Sequence, residues 1–175
     1  MNYDADMLQQ QALLQVAARM IAAARTAPKA RGADRIQMVF LTGEDRDLLA
    51  AEVERLGQEH QQSFFMRDAN NIRKADGIVL IGVDARPRGN TFCGLCGFVD
   101  CAACTEQKGR CALAITDLGI AVGSAVSVAA DARVDNRVFF TAGLAAVGLS
   151  CLGENVHIAY GIPLSITGKN IFFDR

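Results

Sequence analysis

The sequence lacks an excess of positive charge, since 18 Lys and Arg residues face 19 Asp and Glu residues in a chain of 175. Because nucleic-acid binding depends on basic side chains that neutralise phosphates, we expect no nucleic-acid partner. Long uncharged runs are also missing: the longest, 138–153, is shorter than the roughly 20 residues that a membrane helix needs, so we expect no membrane partner. The acidic first residues lack the basic and then apolar order of a signal peptide, which predicts a cytoplasmic protein.

Familiar nucleotide-binding and acid–base patterns are missing as well. The chain has no Gly-x-Gly-x-x-Gly motif and no P-loop, so binding of nicotinamide or nucleotides through those motifs has no support. Its two histidines, His60 and His157, have no acid or nucleophile close to them in sequence. We therefore expect no acid–base catalysis from either histidine.

What the sequence does have is a high apolar content, with 51% hydrophobic and 21% charged residues, which excludes a disordered chain and suits a single domain, 1–175. The run 77–83 is continuously apolar, which is typical of a strand buried on both faces. Because helices and strands alternate loosely, the predicted fold class is α+β, an α/β sandwich. Apolar periodicity predicts helices over 4–25, 42–57, 63–74, 117–131 and 139–149, and strands over 36–42, 77–83 and 156–162.

Five of the six cysteines are crowded into 19 residues of a predicted loop, 84–111, that contains one short helix over 100–108. Thiols crowded together in a reducing compartment indicate a metal or cluster site, because disulfides usually join separate loops. The sixth, Cys151, lies near two leucines and is interpreted as a small buried hydrophobe. The clustered cysteines are Cys93, Cys96, Cys101, Cys104 and Cys111.

Their spacing favours a [4Fe-4S] cluster over zinc. Cys93 and Cys96 can supply two corners of a compact thiolate tetrahedron, and the glycine after each leaves backbone amides free to point at sulfur. Cys101 and Cys111 can close the site through the short helix, although Cys104 could compete as a ligand. Zinc usually pairs two knuckles a dozen or more residues apart, whereas four residues separate Cys96 from Cys101. Three apolar neighbours are expected to shield the cluster from water: Phe92, Leu95 and Phe98.

The cysteine string resembles the four-cysteine [4Fe-4S] module of the B subunit of Rnf-type electron-transport complexes and of corrinoid iron–sulfur proteins. The resemblance rests on Cys93-Gly94-x-Cys96-Gly97, then Cys101, closed by Cys111 at a shorter spacing. It implies that Cys93, Cys96, Cys101 and Cys111 are the ligands, and it leaves Cys104 without a role.

More of the chain resembles a family of uncharacterised ferredoxin-domain proteins of bacteria and archaea. The blocks that carry this resemblance together span most of the sequence. They are 25–32, the cysteine loop, 117–125, 134–137 and 161–170.

Outside the cysteine loop, the order of elements resembles that of flavin-dependent nitroreductases: a first helix ending in Arg-x-x-Pro, a strand, a helix rich in small residues and a late strand ending in Gly-x-Pro. This resemblance implies a three-layer body with the iron–sulfur loop inserted, and a homodimer with FMN at its interface. It nominates Arg25, Lys29 and Arg31 for the FMN phosphate, helped by Lys169 or Arg175. The alternative is that basic residues after the first helix are surface charges favoured by the helix dipole.

The functional expectation is an iron–sulfur redox protein that transfers electrons through one [4Fe-4S] cluster, with an unknown electron donor or acceptor. With bound FMN it would be an FMN-dependent oxidoreductase. Two alternatives stay open, namely a flavin-free electron carrier or redox sensor and a zinc-stabilised interaction module.

Overall fold

The structure, a computed structural model, describes residues 1–173. A 3₁₀ turn at Ala30–Gly32 follows the first helix. Within the described residues the helices are α1 (Ala5–Thr26), α2 (Gly43–Glu59), α3 (Ser63–Lys74), α4 (Cys101–Glu106), α5 (Ala112–Asp131) and α6 (Phe140–Gly148). The strands are β1 (Ile36–Leu41), β2 (Gly77–Val83), β3 (Asp135–Asn136) and β4 (Ile158–Ser165).

The four strands form one antiparallel sheet in the order β1-β2-β4-β3. The strand register defines the two ends of the sheet. Val83 lies opposite Ile36 and Ile158 at one end, and Gly77 lies opposite Leu164 at the other. Every residue of β2 is buried, which confirms the two-sided burial that its uninterrupted apolar run predicts.

Helices cover both faces of the sheet and make three layers. Because successive side chains of a strand point to opposite faces, Val79 and Ile81 pack with α1 and α5, whereas Ile78 and Leu80 pack with α2, α3 and α6. Each helix therefore needs only one apolar stripe. The predicted three-layer α+β architecture is confirmed.

Sequence and packing together determine where α1 ends and where α5 begins. The predicted apolar stripe of α1 is buried against α5 and the sheet, and the chain leaves the helix at Ala27, whose extended conformation is the one that the following proline favours. Helix α5 begins at Ala112, five residues before the predicted start at Asp117, because the apolar residues after Cys111 continue the helical stripe. Cys111 thus occupies the position just before α5, and its side chain makes no capping hydrogen bond.

Helix α5 is long and apolar enough to span a membrane by length and composition, the one such helix among residues 1–173. Ala114, Leu118 and Ala121 on its inner face are buried against α1 and the sheet, as in the core helix of a globular domain. This packing accounts for the apolar residues on the inner face of α5.

Helix α6 lies unusually close to the sheet. A Cβ atom at Gly143 would lie 1.7 Å from the carbonyl oxygen of Ala159 in β4. Since no side chain fits in this space, glycine at this position is what allows α6 to approach β4.

Candidate functional site

All five clustered cysteines line one small cavity of about 10 Å³ beside the start of α5. The cavity lies in the segment that joins β2 to α5, residues 84–111, which we call the cysteine segment. Pro87, Asn90 and Leu95 complete the wall together with Ala112 and Leu113 at the start of α5. The fold therefore brings Cys104 into the same group as Cys93, Cys96, Cys101 and Cys111.

Backbone hydrogen bonds give the cysteine segment its shape. The amide of Cys111 donates to the carbonyl of Ala85 (2.8 Å), so the two ends of the segment are held together. The amide of Cys101 donates to the carbonyl of Asn90 (3.2 Å). Between them, Gly94 and Gly97 adopt positive φ angles of 68° and 86°, which glycine tolerates without strain. This turn carries Cys93 and Cys96 to the cavity.

Helix α4 presents two cysteines on one face. Its first turn is capped by Asp100, whose carboxylate accepts a hydrogen bond from the amide of Ala103 (2.8 Å). Cys101 and Cys104 are three residues apart and therefore lie on neighbouring positions of the helix surface. Cys104 is fully buried, and a Cβ atom at Gly109 would lie 2.9 Å from its sulfur.

Cys104 lies among the other thiols. Burial, a hydrogen bond with Cys96 and the charges of Cys96, Cys101 and Cys111 together raise the pKa of Cys104 to about 11. In the absence of a cation, four thiols so close together cannot all ionise without repulsion. The three-residue spacing from Cys101 indicated Cys104 as a competing ligand, whereas the resemblance to the four-cysteine module left it without a role.

The cysteine thiols group around the cavity, but their arrangement does not itself form a metal-binding site. Among residues 1–173, no set of three His, Cys, Asp or Glu side chains has the geometry to hold a metal ion. Iron–sulfur clusters take cysteine thiolates as ligands, and a four-iron core holds its thiolates farther apart than a single tetrahedral zinc does. A cavity of about 10 Å³ admits no more than one water-sized group, so binding of a cluster requires the thiols to move outward.

The expected apolar shield is only partly present. Phe98 packs its ring against Gly109 on the inner side of the segment. Phe92 is 97% exposed and Leu95, which lines the cavity, is 66% exposed. The prediction that Phe92 shields the site is wrong, because the glycine turn directs this side chain to solvent.

Two of the basic residues nominated for a phosphate are bound within the chain. Arg25 donates to the carboxylate of Asp34 (2.6 Å) and to the carbonyl of Ile36 (3.0 Å). Lys29 donates to the carbonyls of Ala24 (2.7 Å) and Arg25 at the end of α1. Lys29 thus satisfies the free carbonyls at the end of the helix, which is the arrangement of the helix-dipole alternative.

The other nominated residues lie apart from one another. Arg31 donates to the side-chain oxygen of Asn90 (3.0 Å), which lines the cysteine cavity. Lys169 follows the far end of β4, where the amide of Ile166 donates to Asp76 (2.8 Å). Since the seven residues of β2 span about 20 Å, the sheet separates Lys169 from Arg31 within one chain. Arg175 lies outside the described residues.

A buried ion pair that sequence reasoning missed anchors the cysteine segment. The guanidinium of Arg88 bonds the carboxylate of Asp117 on α5, and both side chains are almost fully buried. Arg88 also donates to the carbonyls of Ala30 and Ala33 (both 3.2 Å), and Asp117 accepts from the amide of Ala30 (2.9 Å). An acidic residue within the apolar stripe of α5 was the signal that could have revealed this pair.

Comparison with solved structures shows that this chain shares its fold with nitroreductases. An FMN-dependent nitroreductase from Clostridium difficile matches with a TM-score of 0.57 at 12% identity, over 89% of this chain and 76% of that chain. A nitroreductase family protein from Clostridium novyi matches at 0.55 and 12% identity, over 98% and 80%. NADPH:FMN oxidoreductase from Vibrio harveyi matches at 0.52 and 12% identity, over 89% of this chain and 60% of that chain. The body thus has the nitroreductase fold, with the cysteine segment between β2 and α5.

Sequence comparison gives the family. Residues 107–175 match the family described as "Uncharacterized protein containing a ferredoxin domain". An uncharacterised protein from Archaeoglobus fulgidus is 38% identical over 164 residues, which cover 89% of this chain and 88% of the relative. The chain belongs to this family of ferredoxin-domain proteins, as the blocks from 25–32 to 161–170 predicted. Membership in a ferredoxin-domain family and a nitroreductase-like fold together indicate a redox function.

Proposed function

We propose that the protein binds one [4Fe-4S] cluster per chain at the cysteine cavity and transfers electrons. The observation that carries this proposal is the convergence of five thiols, from a turn, a helix and a helix cap, on one cavity. The proposed ligands are Cys93, Cys96, Cys101 and Cys111, with Cys104 as the competitor for the place of Cys101. When bound, such a cluster accepts and returns single electrons.

The surrounding residues prepare the site in two ways. Gly94 and Gly97 carry no side chains, so that backbone amides of this turn can approach the thiolates. On the inner side, Phe98 and Gly109 cover Cys104 and exclude water, whereas Leu95 and Phe92 leave the outer side open to solvent. This arrangement leaves a route for electrons at the exposed side of the segment.

The test is the iron, sulfide and zinc content of the anaerobically purified chain. We expect about four irons and four sulfides per chain and no zinc, because cuboidal clusters contain that complement. Colourless protein with one zinc and no sulfide would establish the zinc-stabilised module instead. Cys151→Ala is the matched control, since Cys151 packs at the far face of the sheet among α2, α3 and α6 and should leave the iron content unchanged.

Paired alanine variants decide the third ligand. Cys101→Ala should lose the iron and Cys104→Ala should retain it if the assignment from sequence is right. The reverse result would make Cys104 the ligand, in keeping with its burial among Cys96, Cys101 and Cys111. Both variants keep α4 helical, because alanine favours the helix.

We further propose FMN as a second cofactor, bound at the interface of a homodimer. The nitroreductase-like fold supports this proposal, and so does the position of Arg31 beside Asn90 at the cysteine cavity. Since Lys169 lies at the opposite end of the sheet, a phosphate site that uses both residues needs Lys169 from a second copy. Arg25 and Lys29 are occupied by contacts within the chain and would contribute charge rather than free donors.

The outer face of α5 supports the dimer. Small and apolar side chains face solvent there at helical spacing, and nothing lies within 4 Å of a Cβ atom placed at Gly119 or Gly123. Such a surface allows a second helix to approach closely. The exposed residues of this face are Thr116, Gly119, Ile120, Gly123 and Ser127.

Flavin content and molar mass test the second cofactor. We expect a dimer in solution that releases FMN on denaturation, and Lys169→Ala should reduce the retained FMN while Lys74→Ala, an exposed lysine at the end of α3, should not. A chain with a full cluster and no flavin would instead be an electron carrier or redox sensor, and the enzyme proposal would be withdrawn.

A further inference from the structure

A second and larger pocket, of about 600 Å³, lies beside the cysteine cavity. Its wall combines residues from three parts of the chain: Arg35 before β1, His157 before β4, and Arg86, Lys108 and Arg110 from the cysteine segment. Among the described residues that line the pocket, four are cations and none is Asp or Glu. The volume is in the range of pockets that hold small-molecule ligands.

Two of these cations are held in place and two are free to bind. The carboxylate of Asp84 accepts hydrogen bonds from Nε and Nη2 of Arg86 at 2.6 to 3.0 Å, and Arg35 donates to the carbonyl of Arg86 (3.0 Å). The side chains of Lys108 and Arg110 have no hydrogen-bond or ion-pair partner within residues 1–173. Asp84 pairs with Arg86 and its charge also acts on Arg35, so Lys108 and Arg110 are the two unpaired cations of the pocket wall.

His157 adds a neutral donor to this wall. Its Nδ1 atom accepts a hydrogen bond from the amide of Ala85 (3.3 Å), which leaves the proton of the neutral ring on Nε2. Burial lowers the pKa of His157, the charges of Arg110 and Arg86 lower it further, and Asp84 opposes them. The positive charges of Arg110 and Arg86 around the pocket thus contribute to the lowered pKa of His157.

A single layer of residues separates the pocket from the cysteine cavity. Pro87 lines both of them. Gly109 lines the pocket, and a Cβ atom there would lie 2.9 Å from the sulfur of Cys104. A ligand in the pocket would thus lie next to the thiols without touching them.

We propose that this pocket binds the phosphate or pyrophosphate group of a small molecule. Arginine forks recognise phosphate oxygens through paired charged hydrogen bonds, and two unpaired cations with Arg35 beside them match an anion of more than one charge. The cations surround a pocket instead of forming an extended stripe, and the chain carries a net charge of −1, which favours a small anion over a nucleic acid. The site needs no glycine-rich motif, because its donors come from side chains that the fold assembles.

Calorimetric titration of the full chain with inorganic pyrophosphate and with inorganic phosphate tests this proposal. We expect saturable binding of one anion per chain, tighter for pyrophosphate. Arg110→Gln and Lys108→Gln should each weaken it at least tenfold. Arg19→Gln is the matched control, since this exposed arginine lies on α1 away from the pocket and loses the same charge. Because the three changed side chains are exposed, unfolding curves should show that every variant is folded.

Titrations with ADP and with DNA complete the experiment. Tighter binding of ADP than of pyrophosphate would assign the phosphate to a nucleotide, and equal binding would assign it to a free anion or another phosphorylated molecule. A response that does not saturate, an equal loss in Arg19→Gln, or binding of DNA without binding of either anion would overturn the proposal. Binding is measured without reference to iron or flavin content, so its failure is independent of the proposed redox function.

Discussion

The sheet body and the cysteine segment are stabilised by different interactions. Every residue of β2 is buried between two helical layers, and the body is held by apolar packing on both sides of the sheet. In the segment 84–111 few side chains are buried, and Phe92 and Val99 are 97% and 83% exposed. Burial of apolar surface stabilises the body but is largely missing in the cysteine segment, where the proposed chemistry takes place.

Polar contacts take the place of an apolar core in the cysteine segment. The Arg88–Asp117 pair, the Cys111–Ala85 hydrogen bond and the Asp100 cap hold it to the body. Since binding free energy of a metal group becomes folding free energy wherever the site orders on binding, the segment is the part whose order should depend on the cluster.

Arg88→Ala should destabilise the body as well as the segment, by about 3–5 kcal/mol in the free energy of unfolding, because Asp117 would stay buried without its partner. Denaturant unfolding measures this loss. The double variant Arg88→Met with Asp117→Leu should recover most of it, since an apolar pair leaves no buried charge. A single variant as stable as the parent would show that the pair does not anchor the segment.

Gly143→Ala should cost about 2–3 kcal/mol in the free energy of unfolding, because its Cβ would collide with the carbonyl of Ala159 and move α6 off the sheet. Thermal unfolding checks this expectation. Gly119→Ala is the control, since it lies in a helix with open space and should instead stabilise the single chain by up to about 1 kcal/mol. If the outer face of α5 forms the dimer, Gly119→Ala should also weaken dimerisation.

Removal of the proposed cluster with a chelator should loosen the cysteine segment and leave the body unchanged. Amide hydrogen exchange is the measurement: protection of Cys101 and Cys111 should fall by at least about tenfold, whereas the amides of β2 keep theirs. Equal loss of protection in both regions would show that the two are one cooperative unit and would remove the contrast between them.

Asp84→Asn should have the smallest effect and a defined pH dependence. A hydrogen bond from the Arg86 side chain lowers the pKa of Asp84 to about 2, against burial that raises it. A carboxyl with a lowered pKa stabilises the fold above its unfolded value, near 4, and this contribution is lost as the pH falls towards 2. Because Arg86 is largely exposed, we expect about 1 kcal/mol at pH 7.

Unfolding of this variant and the parent at pH 7 and at pH 3 tests the sign. The difference in free energy should shrink at the lower pH. A difference that stays constant or grows would mean that Asp84 acts through its shape and not through its charge.

Local patterns predicted much of the body. The apolar run of β2 and the stripe of α1 predicted elements that the structure contains, because side-chain period follows directly from the geometry of strands and helices. The start of α5 was predicted five residues too late, since the residues after Cys111 carry apolar character without a capping residue. Spacing likewise predicted that the cysteines form one group, which needs only a turn and a short helix.

Local sequence patterns predicted most of the helices and strands, the burial of β2 on both faces and the grouping of the five thiols, but not the short strand β3. The folded chain was needed to show that Arg88 pairs with Asp117, that Lys169 lies at the opposite end of the sheet from Arg31, and that Arg35, Arg110 and His157 line one pocket. Periodicity depends only on residues that are neighbours within a few positions of the sequence. Contacts between residues far apart in the sequence depend instead on the register of the antiparallel strands and on the contacts that place the cysteine segment against α5.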